Sequence, residues 1–458
     1  MTLPQDFIED MRQIMPPSEW EAFLSSFEEE RSFGLRFNPL KGISQENWKE
    51  TMPFSLEPVP WSREGYFYQD EERPGKHVLH EMGAYYIQEP SAMIVTELLD
   101  PKPGETILDL CAAPGGKSTQ IAGRMLGQGL LVSNEIHPQR AKILAQNLER
   151  VGARNAVVVN ETPEKLARVF GGYFDRILVD APCSGEGMFR KEEAAVAEWS
   201  RDNVKMCHER QIEILNQAAG MLKPGGRLVY ATCTFAREED EETIKDFLDA
   251  HPEFHIEPVL KELGYDRFGV SEGSIPGTVR MWPHKLKGEG HFAVALTKEG
   301  EMNSIPSMGL SLLAAAKQEK TKELSKFLEG LLTEEALSEM KGALYQNGDY
   351  IAFLPAGFRL PKGIRIIRFG LPLGEVKKNR FEPNHSLAIS LKKEECINSV
   401  DVTLEETKRF LAGESIQVAS EKKGYVVLFY QGMSVGFGKL SGGIIKNHYP
   451  KGLRVILD

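Results

Sequence analysis

Three things are scarce in this chain of 458 residues: long apolar runs, paired cysteines and an excess of basic residues. No stretch of about 18 or more apolar residues occurs, which argues against a transmembrane helix. The N-terminus, MTLPQDFIEDMRQIM, carries acids where a signal peptide has basic residues ahead of an apolar run. We therefore expect a cytoplasmic protein that does not bind membranes.

The cysteines argue against a disulfide scaffold and against a zinc site. There are five, an odd number, and no two of them form a CxxC pair. The histidines His284 and His291 lie in the segments WPH and GEGHF, and we interpret both as structural rather than metal-binding. We expect no metal ion, and we expect a monomer.

The charge balance argues only weakly against nucleic acid as a partner. The formal net charge is −11, but the field that attracts a polyanion is local. Residues 365–380 and 422–454 are locally basic. A solvated surface and a nucleic-acid contact both remain open for these two segments.

The length predicts roughly three units, and the pattern along the chain supplies their limits. Residues 1–78 are predicted as helices followed by a strand-rich piece, and 79–298 as a Rossmann-like α/β unit. A helical linker follows at 299–345, and short strands around one helix at 346–458. In the α/β unit, apolar runs alternate with helical stretches, which predicts a doubly wound sheet of parallel strands; the runs are TILDL, LLVSNE, AVVVN, RILVD and RLVYAT. The C-terminal strands are predicted at YIAFL, IRIIRF, YVVLFY, MSVGFG and LRVIL, around the helix LEETKRFLAGE.

A glycine-rich turn follows the first of these strands. TILDL runs into CAAPGGKSTQIAG, and ligands of such sheets bind beyond the carboxyl ends of the strands. Glycine lets the backbone approach a ligand closely, and the next helix offers free N–H groups. Glu135 ends the next strand 20 residues after Gly115, a spacing that suits a ribose ligand. The turn also differs by one residue from a phosphate-binding loop, with Cys111 in place of its first glycine, so a P-loop NTPase is an alternative.

Two cysteines follow strands that belong to the same predicted sheet. Cys183 lies in DAPCSG and Cys233 in ATCT. A lone cysteine in such a place is usually a small buried apolar residue. Two at the same edge as the cofactor turn predict a shared crevice. The acidic run 238–242 that follows is predicted as the solvated first turn of a helix.

Thiols in this position suit one difficult methylation. Carbon 5 of cytosine is a poor nucleophile, but a thiolate that adds to carbon 6 turns the ring into a reactive enamine. A proton on ring nitrogen 3 assists that addition, and Asp180 is a candidate to hold it. A base must then remove the carbon 5 proton, for which a second cysteine is a candidate. Spacing alone does not decide which thiol attacks.

Four ordered blocks together resemble the Nol/Nop/Sun-type RNA cytosine-carbon-5 methyltransferases; they are LDLCAAPGGKSTQ, NEIHPQR, VDAPCSGEGMFRK and YATCTFAREEDE. RFNPLK, YYIQEPSAM and RMWPHKLKGEGHF match further blocks, so the resemblance spans about residues 34–297. The end of the chain, GGIIKNHYPKGLRV, resembles the bacterial branch that modifies small-subunit ribosomal RNA, and its last domain is similar to the PUA class of RNA-binding modules.

The resemblance implies S-adenosylmethionine as cofactor and ribosomal RNA or the small ribosomal subunit as partner. It implies cofactor contacts at Glu135, Arg140 and Asp180 and along the turn, which comprises Cys111, Ala112, Ala113, Pro114, Gly115, Gly116 and Lys117. It also implies that Cys233 is the nucleophile and that Cys183 assists product release. DNA methylation and a non-catalytic RNA-binding factor are the remaining alternatives; the RNA-type blocks disfavour the first and the intact pair of cysteines disfavours the second.

Two positions qualify the resemblance. After AVVV the family commonly has an aspartate that binds the adenine amine, whereas this chain has Asn160, Glu161 and Thr162. Asn160 or Glu161 could accept that hydrogen bond instead. In the N-terminal extension, an α+β unit by its pattern, the resemblance implies that Arg36 and Asn38 contact RNA, although packing within the fold is an equal alternative.

Overall fold

The first unit is an antiparallel sheet preceded by two helices. The computed structural model describes residues 2–300, 321–340, 342–355, 361–378 and 380–457. The sheet has the order β2-β3-β1-β4. Its elements are α1 (Gln5–Ile14), α2 (Trp20–Ser26), β1 (Phe33–Phe37), α3 (Gln45–Thr51), β2 (Glu57–Pro58), β3 (Gly65–Tyr68), α4 (Val78–Glu81) and β4 (Tyr85–Ile87).

The two N-terminal helices pack on the central unit through aromatic side chains. Phe7 of α1 contacts Phe189 with ring centroids 5.1 Å apart, and Phe23 of α2 contacts Phe235 at 5.8 Å. All four rings are buried. The N-terminal unit is therefore part of the same packed body as the α/β unit.

The central unit is a doubly wound sheet, as the sequence predicts. The neighbouring strands β9-β8-β5-β6-β7 are parallel, and they are the five predicted apolar runs. The elements are α5 (Ile94–Leu99), β5 (Thr106–Asp109), α6 (Gly116–Met125), β6 (Leu130–Asn134), α7 (Pro138–Arg150), β7 (Ala156–Val159), α8 (Pro163–Val169), β8 (Phe174–Asp180), α9 (Glu193–Glu198), α10 (Arg201–Met221), β9 (Leu222–Thr232), α11 (Thr243–Ala250), β10 (Phe254–Ile256), α12 (Val259–Leu263), β11 (Val270–Glu272), β12 (Val279–Met281) and β13 (His291–Lys298).

Both faces of this sheet are covered. Ile107 and Leu131 belong to one buried apolar cluster, and their neighbours Leu108 and Val132 belong to another. Burial on both faces explains why the strands appear in the sequence as continuous apolar runs. The antiparallel strands β12 and β13 extend the sheet beyond β9.

The C-terminal part holds two further sheets, of the orders β14-β15-β17-β18 and β19-β21-β22-β23-β20. Its elements are α13 (Lys322–Glu329), α14 (Glu334–Glu339), β14 (Gly342–Asn347), β15 (Tyr350–Pro355), β16 (Ile366–Arg368), β17 (Leu371–Lys377), β18 (Arg380–Pro383), α15 (His385–Ser390), β19 (Ser399–Asp401), α16 (Leu404–Leu411), β20 (Ile416–Gln417), β21 (Gly424–Tyr430), β22 (Met433–Ser441) and β23 (Ile444–Asn447). Much of the predicted helical linker, at 301–320, lies outside the described residues.

Two of the predicted C-terminal strands differ from the structure. The run IRIIRF forms β16, which does not join a C-terminal sheet but pairs antiparallel with β7 at the edge of the central sheet. The last run, LRVIL, is not a strand; a short helical turn at Lys451–Leu453 precedes an irregular end in which Ile456 is 91% exposed. The alternating apolar residues of LRVIL do not pair with any of the described strands.

Cations from the other two units hold the C-terminal part in place. Lys41 Nζ donates to the carbonyl of Ile389 at 3.0 Å, and Arg154 Nε donates to the carbonyl of Ser390 at 3.0 Å. Both carbonyls lie at the end of α15, where a helix favours positive charge. Among the described helices, none is long and apolar enough to cross a membrane.

Candidate active site

Three loops meet at one edge of the central sheet. Strands β5, β8 and β9 are parallel neighbours, so the loops after Asp109, Asp180 and Thr232 leave the sheet on the same side. Between these loops, β6 and α10 lies a cleft of about 1440 Å³. The cleft lining includes Cys111, Ala113, Glu135, Arg140, Asp180, Cys183 and Cys233.

The glycine-rich turn is fixed by α7. Gly115 has a φ of 116°, and a Cβ placed there would lie 3.1 Å from Cδ1 of Leu144, so glycine is required. Arg140 Nη2 donates to the carbonyl of Ala113 at 2.8 Å, and Asn147 Nδ2 donates to that of Pro114 at 2.8 Å. These bonds fix the backbone of the turn against α7, and Cys111 and Ala113 are the turn residues that line the cleft.

Glu135 faces the cleft from the end of β6. Its Oε1 accepts from the amide of His137 at 2.8 Å, and its Oε2 lies 3.5 Å from Arg140 Nη1. The structure thus brings Glu135, Arg140 and the turn together. Burial raises the pKa of the Cys111 thiol, which keeps this third sulfur of the cleft neutral.

The residues that replace the family's adenine-binding aspartate have partners within the protein. Asn160 Nδ2 donates to the carbonyls of Glu135 and Ile136 at 2.7 and 2.8 Å. The carboxylate of Glu161 accepts from the amide of Arg365 and from Lys165 Nζ, both at 2.7 Å. Glu161 is therefore engaged by the segment that leads into β16.

A partly buried ion pair lies at the same edge of the sheet as the thiols. Lys117 Nζ is 2.7 Å from Oδ2 of Asp180. Burial opposes the charge of Lys117, but the Asp180 carboxylate outweighs it and raises the pKa of the lysine. Lys117 is therefore a charged donor that contacts the carboxyl group of Asp180 at the edge of the cleft.

The two predicted thiols are in contact. Sγ of Cys183 and Sγ of Cys233 are 3.4 Å apart. The contact with Cys233, together with burial and the charge of Glu239, raises the pKa of Cys183 well above its ordinary value. The charge of Cys233 instead interacts with Lys117. The two sulfurs therefore lie in unlike electrostatic surroundings.

Residues that the sequence analysis missed hold the two cysteine loops. Oε2 of Glu239 accepts from the amide of Ser184 at 3.1 Å and from Gln211 Nε2 at 2.7 Å. Oε2 of Glu186 accepts from the amide of Phe235 at 2.7 Å, which ties one loop to the other. Arg280 forms an ion pair with the neighbouring Asp240 at 3.0 Å.

The prediction of a solvated acidic turn at 238–242 is therefore wrong. Glu239, Asp240 and Glu241 are buried, and burial raises the pKa of Glu239 to about 7. Asp109 was also missed; it lies beneath the turn, accepts from Ser118 Oγ at 2.6 Å, and burial raises its pKa to about 7. The sequence signal that could have identified Asp109 is its position at the end of β5, two residues before Cys111.

Arg36 and Asn38 are not on a surface that RNA could reach. Both are buried. Arg36 Nη2 donates to the carbonyl of Gly116 at 2.5 Å, and Asn38 Nδ2 donates to the carbonyls of Gly83 and Val151 at 2.7 and 2.8 Å. The expected RNA contact of these two residues is wrong, because their hydrogen bonds join the N-terminal unit to the central one.

The two histidines have structural contacts. His284 Nε2 is 3.2 Å from Glu19 and Nδ1 of His291 is 3.0 Å from the carbonyl of Gly290. Within the ranges that the structure describes, no group of three or more acidic, histidine or cysteine side chains forms a potential metal site.

The parallel sheet with a glycine turn, an acid after the next strand and a lined cleft is the Rossmann-like fold of methyltransferases. Comparison with known families identifies the branch. Residues 96–297 match the family described as "16S rRNA methyltransferase RsmB/F", and 3–90 match "N-terminal domain of 16S rRNA methyltransferase RsmF". Residues 326–391 match the first C-terminal domain of RsmF and 397–455 its PUA domain.

Relatives that match over nearly the whole chain indicate the same family. Two proteins named "Ribosomal RNA small subunit methyltransferase F", from Vibrio parahaemolyticus and Shewanella oneidensis, are each 32% identical and cover 98% of this chain and 97% of their own length. A solved "Methyltransferase Homolog Protein from Pyrococcus Horikoshii" is 27% identical with a TM-score of 0.56, over 64% of this chain and 95% of that one. The chain belongs to the RsmB/F family of 16S ribosomal RNA methyltransferases. Membership confirms the resemblance drawn from the motifs and overturns the alternative of a P-loop NTPase.

Proposed function

We propose that the protein transfers a methyl group from S-adenosylmethionine to carbon 5 of a cytosine in small-subunit ribosomal RNA, through a covalent adduct at carbon 6. The contact between Cys183 and Cys233 beside the Lys117–Asp180 pair is the observation that carries this proposal. The names of the whole-chain relatives support the choice of RNA.

The cleft has the features that this cofactor requires. The turn, which lines the cleft through Cys111 and Ala113, would accept the methionine part, and Glu135 would bind the ribose hydroxyls. Lys117 is committed to Asp180, so the turn lacks the free lysine of a phosphate cradle. When bound, the cofactor supplies an electrophilic methyl group.

The surroundings of the two sulfurs support Cys233 as the nucleophile. A thiolate is stabilised by a nearby cation and destabilised by an anion. Lys117 interacts with Cys233, whereas Glu239 acts on Cys183 and contributes to its raised pKa. The negative charge therefore belongs on Cys233, which attacks carbon 6.

Lys117 and Asp180 would then act as one proton source. As the sulfur–carbon 6 bond forms, the electron pair of the ring double bond becomes available at carbon 5 and nitrogen 3 takes up a proton. That proton would come from the Lys117 ammonium through the carboxyl group of Asp180, with which Lys117 pairs.

Cys183 would resolve the adduct. Its largest pKa-raising contact is with Cys233, and that contact changes once Cys233 carries the ring as a thioether. Cys183, a neutral thiol in the free protein, would first release its own proton to water, and its thiolate would then accept the proton of the methylated carbon 5. The double bond re-forms, nitrogen 3 returns its proton to the Lys117–Asp180 pair, and Cys233 leaves as a thiolate.

The proposal is tested with ribosomal RNA that carries tritium at carbon 5 of its cytosines. Methylation at carbon 5 must release tritium to water in a cofactor-dependent reaction. Bisulfite mapping of small-subunit RNA from cells with and without the protein locates the product. Methyl transfer without tritium release would contradict carbon 5 as the acceptor.

A further inference from the structure

Arg36 carries a buried charge that none of the described carboxylates neutralises directly. Its guanidinium donates to Oε1 of Gln88 and the carbonyl of Gly116, both at 2.5 Å, and to Oγ1 of Thr119 at 3.0 Å. All three acceptors are neutral. The two acids in the neighbourhood, Glu64 and Glu97, pair with Arg124 instead.

The position of the Arg36 charge is electrostatically unfavourable unless an anion is bound nearby. Gly116 and Thr119 form the first turn of α6, the end of a helix that favours negative rather than positive charge. Burial lowers the pKa of Arg36 to about 10, which still leaves it charged at neutral pH. A buried charge without a counter-ion is costly, and such arrangements concentrate at functional sites.

The N-terminal unit also contacts the start of α6 closely at Gly116. A Cβ placed at Gly116 would lie 3.2 Å from Nε2 of Gln88 and 3.5 Å from Cε1 of Tyr86. Arg36 itself lies over the ring of Tyr86, 5.4 Å from its centroid. The N-terminal sheet therefore packs directly on the helical end of the cofactor turn.

We propose that Arg36 is a positioning residue of the cofactor site, which fixes the carbonyl of Gly116 and supplies positive charge for the carboxylate of the bound methyl donor. The inference rests on the proposed function, because it assumes that the methionine part of S-adenosylmethionine lies at this turn. An anion there would relieve the uncompensated charge at the start of α6.

The test compares S-adenosylmethionine with its decarboxylated form, which lacks only the carboxylate. Two variants of the full chain separate charge from packing: Arg36→Gln removes the charge but keeps a donor, and Arg36→Lys keeps the charge. Arg36→Gln should lose about tenfold in affinity for S-adenosylmethionine and little for the decarboxylated form. Arg36→Lys should keep the wild-type preference between the two ligands. Arg31→Gln removes an exposed charge from the same unit and serves as the control.

Equal losses for both ligands in Arg36→Gln would overturn the proposal, since they indicate a purely structural role. A wild-type protein that binds the two ligands equally would overturn it without any variant, so the proposal can be tested even if a variant folds poorly. Failure of the proposed function looks different: without S-adenosylmethionine as cofactor the wild type would bind neither ligand, and an acceptor other than carbon 5 would show in the tritium assay and leave the comparison of the two ligands unchanged.

Discussion

At the scale of single residues, two thiols in contact lie in unlike electrostatic surroundings. Both sulfurs lie in one cleft, 3.4 Å apart. Lys117 interacts electrostatically with Cys233, and the carboxyl group of Glu239 interacts with Cys183. The proposed assignment of roles rests on these surroundings, which the spacing of the two motifs does not reveal.

Glu135 is expected to bind the ribose of the cofactor. Replacing Glu135 with alanine should cost about 1.5 to 3 kcal/mol of cofactor affinity, the range for hydrogen bonds to a charged group. Isothermal titration with S-adenosylmethionine measures this loss. Glu164→Ala, at an exposed acid of the same cleft that pairs with Arg168, is the matched control. Unchanged affinity in Glu135→Ala would show that the ribose is bound elsewhere.

Glu239 should make stability depend on pH. Its pKa is about 7 in the fold against 4.5 for an ordinary glutamate, because of burial. Between these values the folded protein keeps a proton that the unfolded chain loses, so the free energy of unfolding falls as pH rises and levels off above 7. The decrease amounts to about 3 kcal/mol for this group.

Urea unfolding of Glu239→Gln between pH 5 and 8 tests this. The variant should show a shallower decrease than the wild type, with the remainder contributed by groups such as Asp109, whose pKa is also about 7. Glu238→Gln changes an exposed neighbour in the same run and should keep the wild-type slope. An identical slope in Glu239→Gln would show that Glu239 does not titrate in this window.

At this scale, the sequence predicted residues that line the cleft, and it missed residues that hold the cysteine loops in place. Cys183, Cys233 and Glu135 each follow a strand and face the cleft as expected. Glu239 lies in a run of acids that looks solvated, and only tertiary packing reveals that it holds the Ser184 amide. The RNA contact of Arg36 was expected from the family resemblance alone. Its burial depends on packing against Gly116, which lies 80 residues further along the chain.

At the scale of elements, the parallel strands were predictable because burial on both faces leaves an apolar run in the sequence. The strand β16 was found, but its partner was not. Ile366 pairs with Val159 across an interval of about two hundred residues, and apolar alternation says nothing about which sheet edge a strand joins. The same limit explains LRVIL, which has the composition of a strand but joins none of the described sheet edges.

The strand β16 should support the adenine side of the cofactor cleft. The amide of Arg365 donates to Glu161, and the carbonyl of Arg365 accepts from the amide of Asn160 at 2.9 Å. Thr162 and Pro163, which follow directly, line the cleft. Arg365→Pro removes only the first bond, whereas Arg365→Ala keeps both.

Arg365→Pro should therefore weaken cofactor binding by about fivefold, through loosening of the loop. Arg365→Ala should bind as the wild type does, since the side chain is exposed. Amide hydrogen exchange of residues 156–166 should be faster in the proline variant alone. Wild-type affinity together with wild-type exchange in Arg365→Pro would refute a supporting role for β16.

At the scale of the whole molecule, the units cannot be separated by truncation. Ending the chain near residue 300 would remove β16 from the central sheet and leave Lys41 and Arg154 without their carbonyl partners. Such a variant would confound RNA binding with damage to the cofactor cleft. Charge substitutions on the C-terminal surface avoid this difficulty.

We expect the surface around the last sheet, β19-β21-β22-β23-β20, to bind RNA mainly through phosphate contacts. Converting its exposed lysines to glutamine should weaken RNA binding and flatten the salt dependence by about 0.7 in log–log slope for each phosphate that is no longer neutralised; the lysines are Lys422, Lys423, Lys439, Lys446 and Lys451. Cofactor affinity should stay unchanged. Lys102→Gln with Lys245→Gln, exposed lysines of the central unit, form the control. An unchanged RNA affinity and salt slope would refute the RNA-binding role of this surface.

The central claim is the covalent division of labour between two cysteines, and trapping of the protein–RNA adduct tests it most directly. Small-subunit RNA and S-adenosylmethionine are incubated with Cys183→Ala, Cys233→Ala and the double variant, and the products are separated on a denaturing gel. Cys183→Ala should attack and methylate but release slowly, so it should accumulate a protein–RNA complex. Cys233→Ala and the double variant should form none while keeping cofactor affinity. Trapping in Cys233→Ala alone would exchange the two roles, and two active single variants without any trapping would contradict the covalent mechanism.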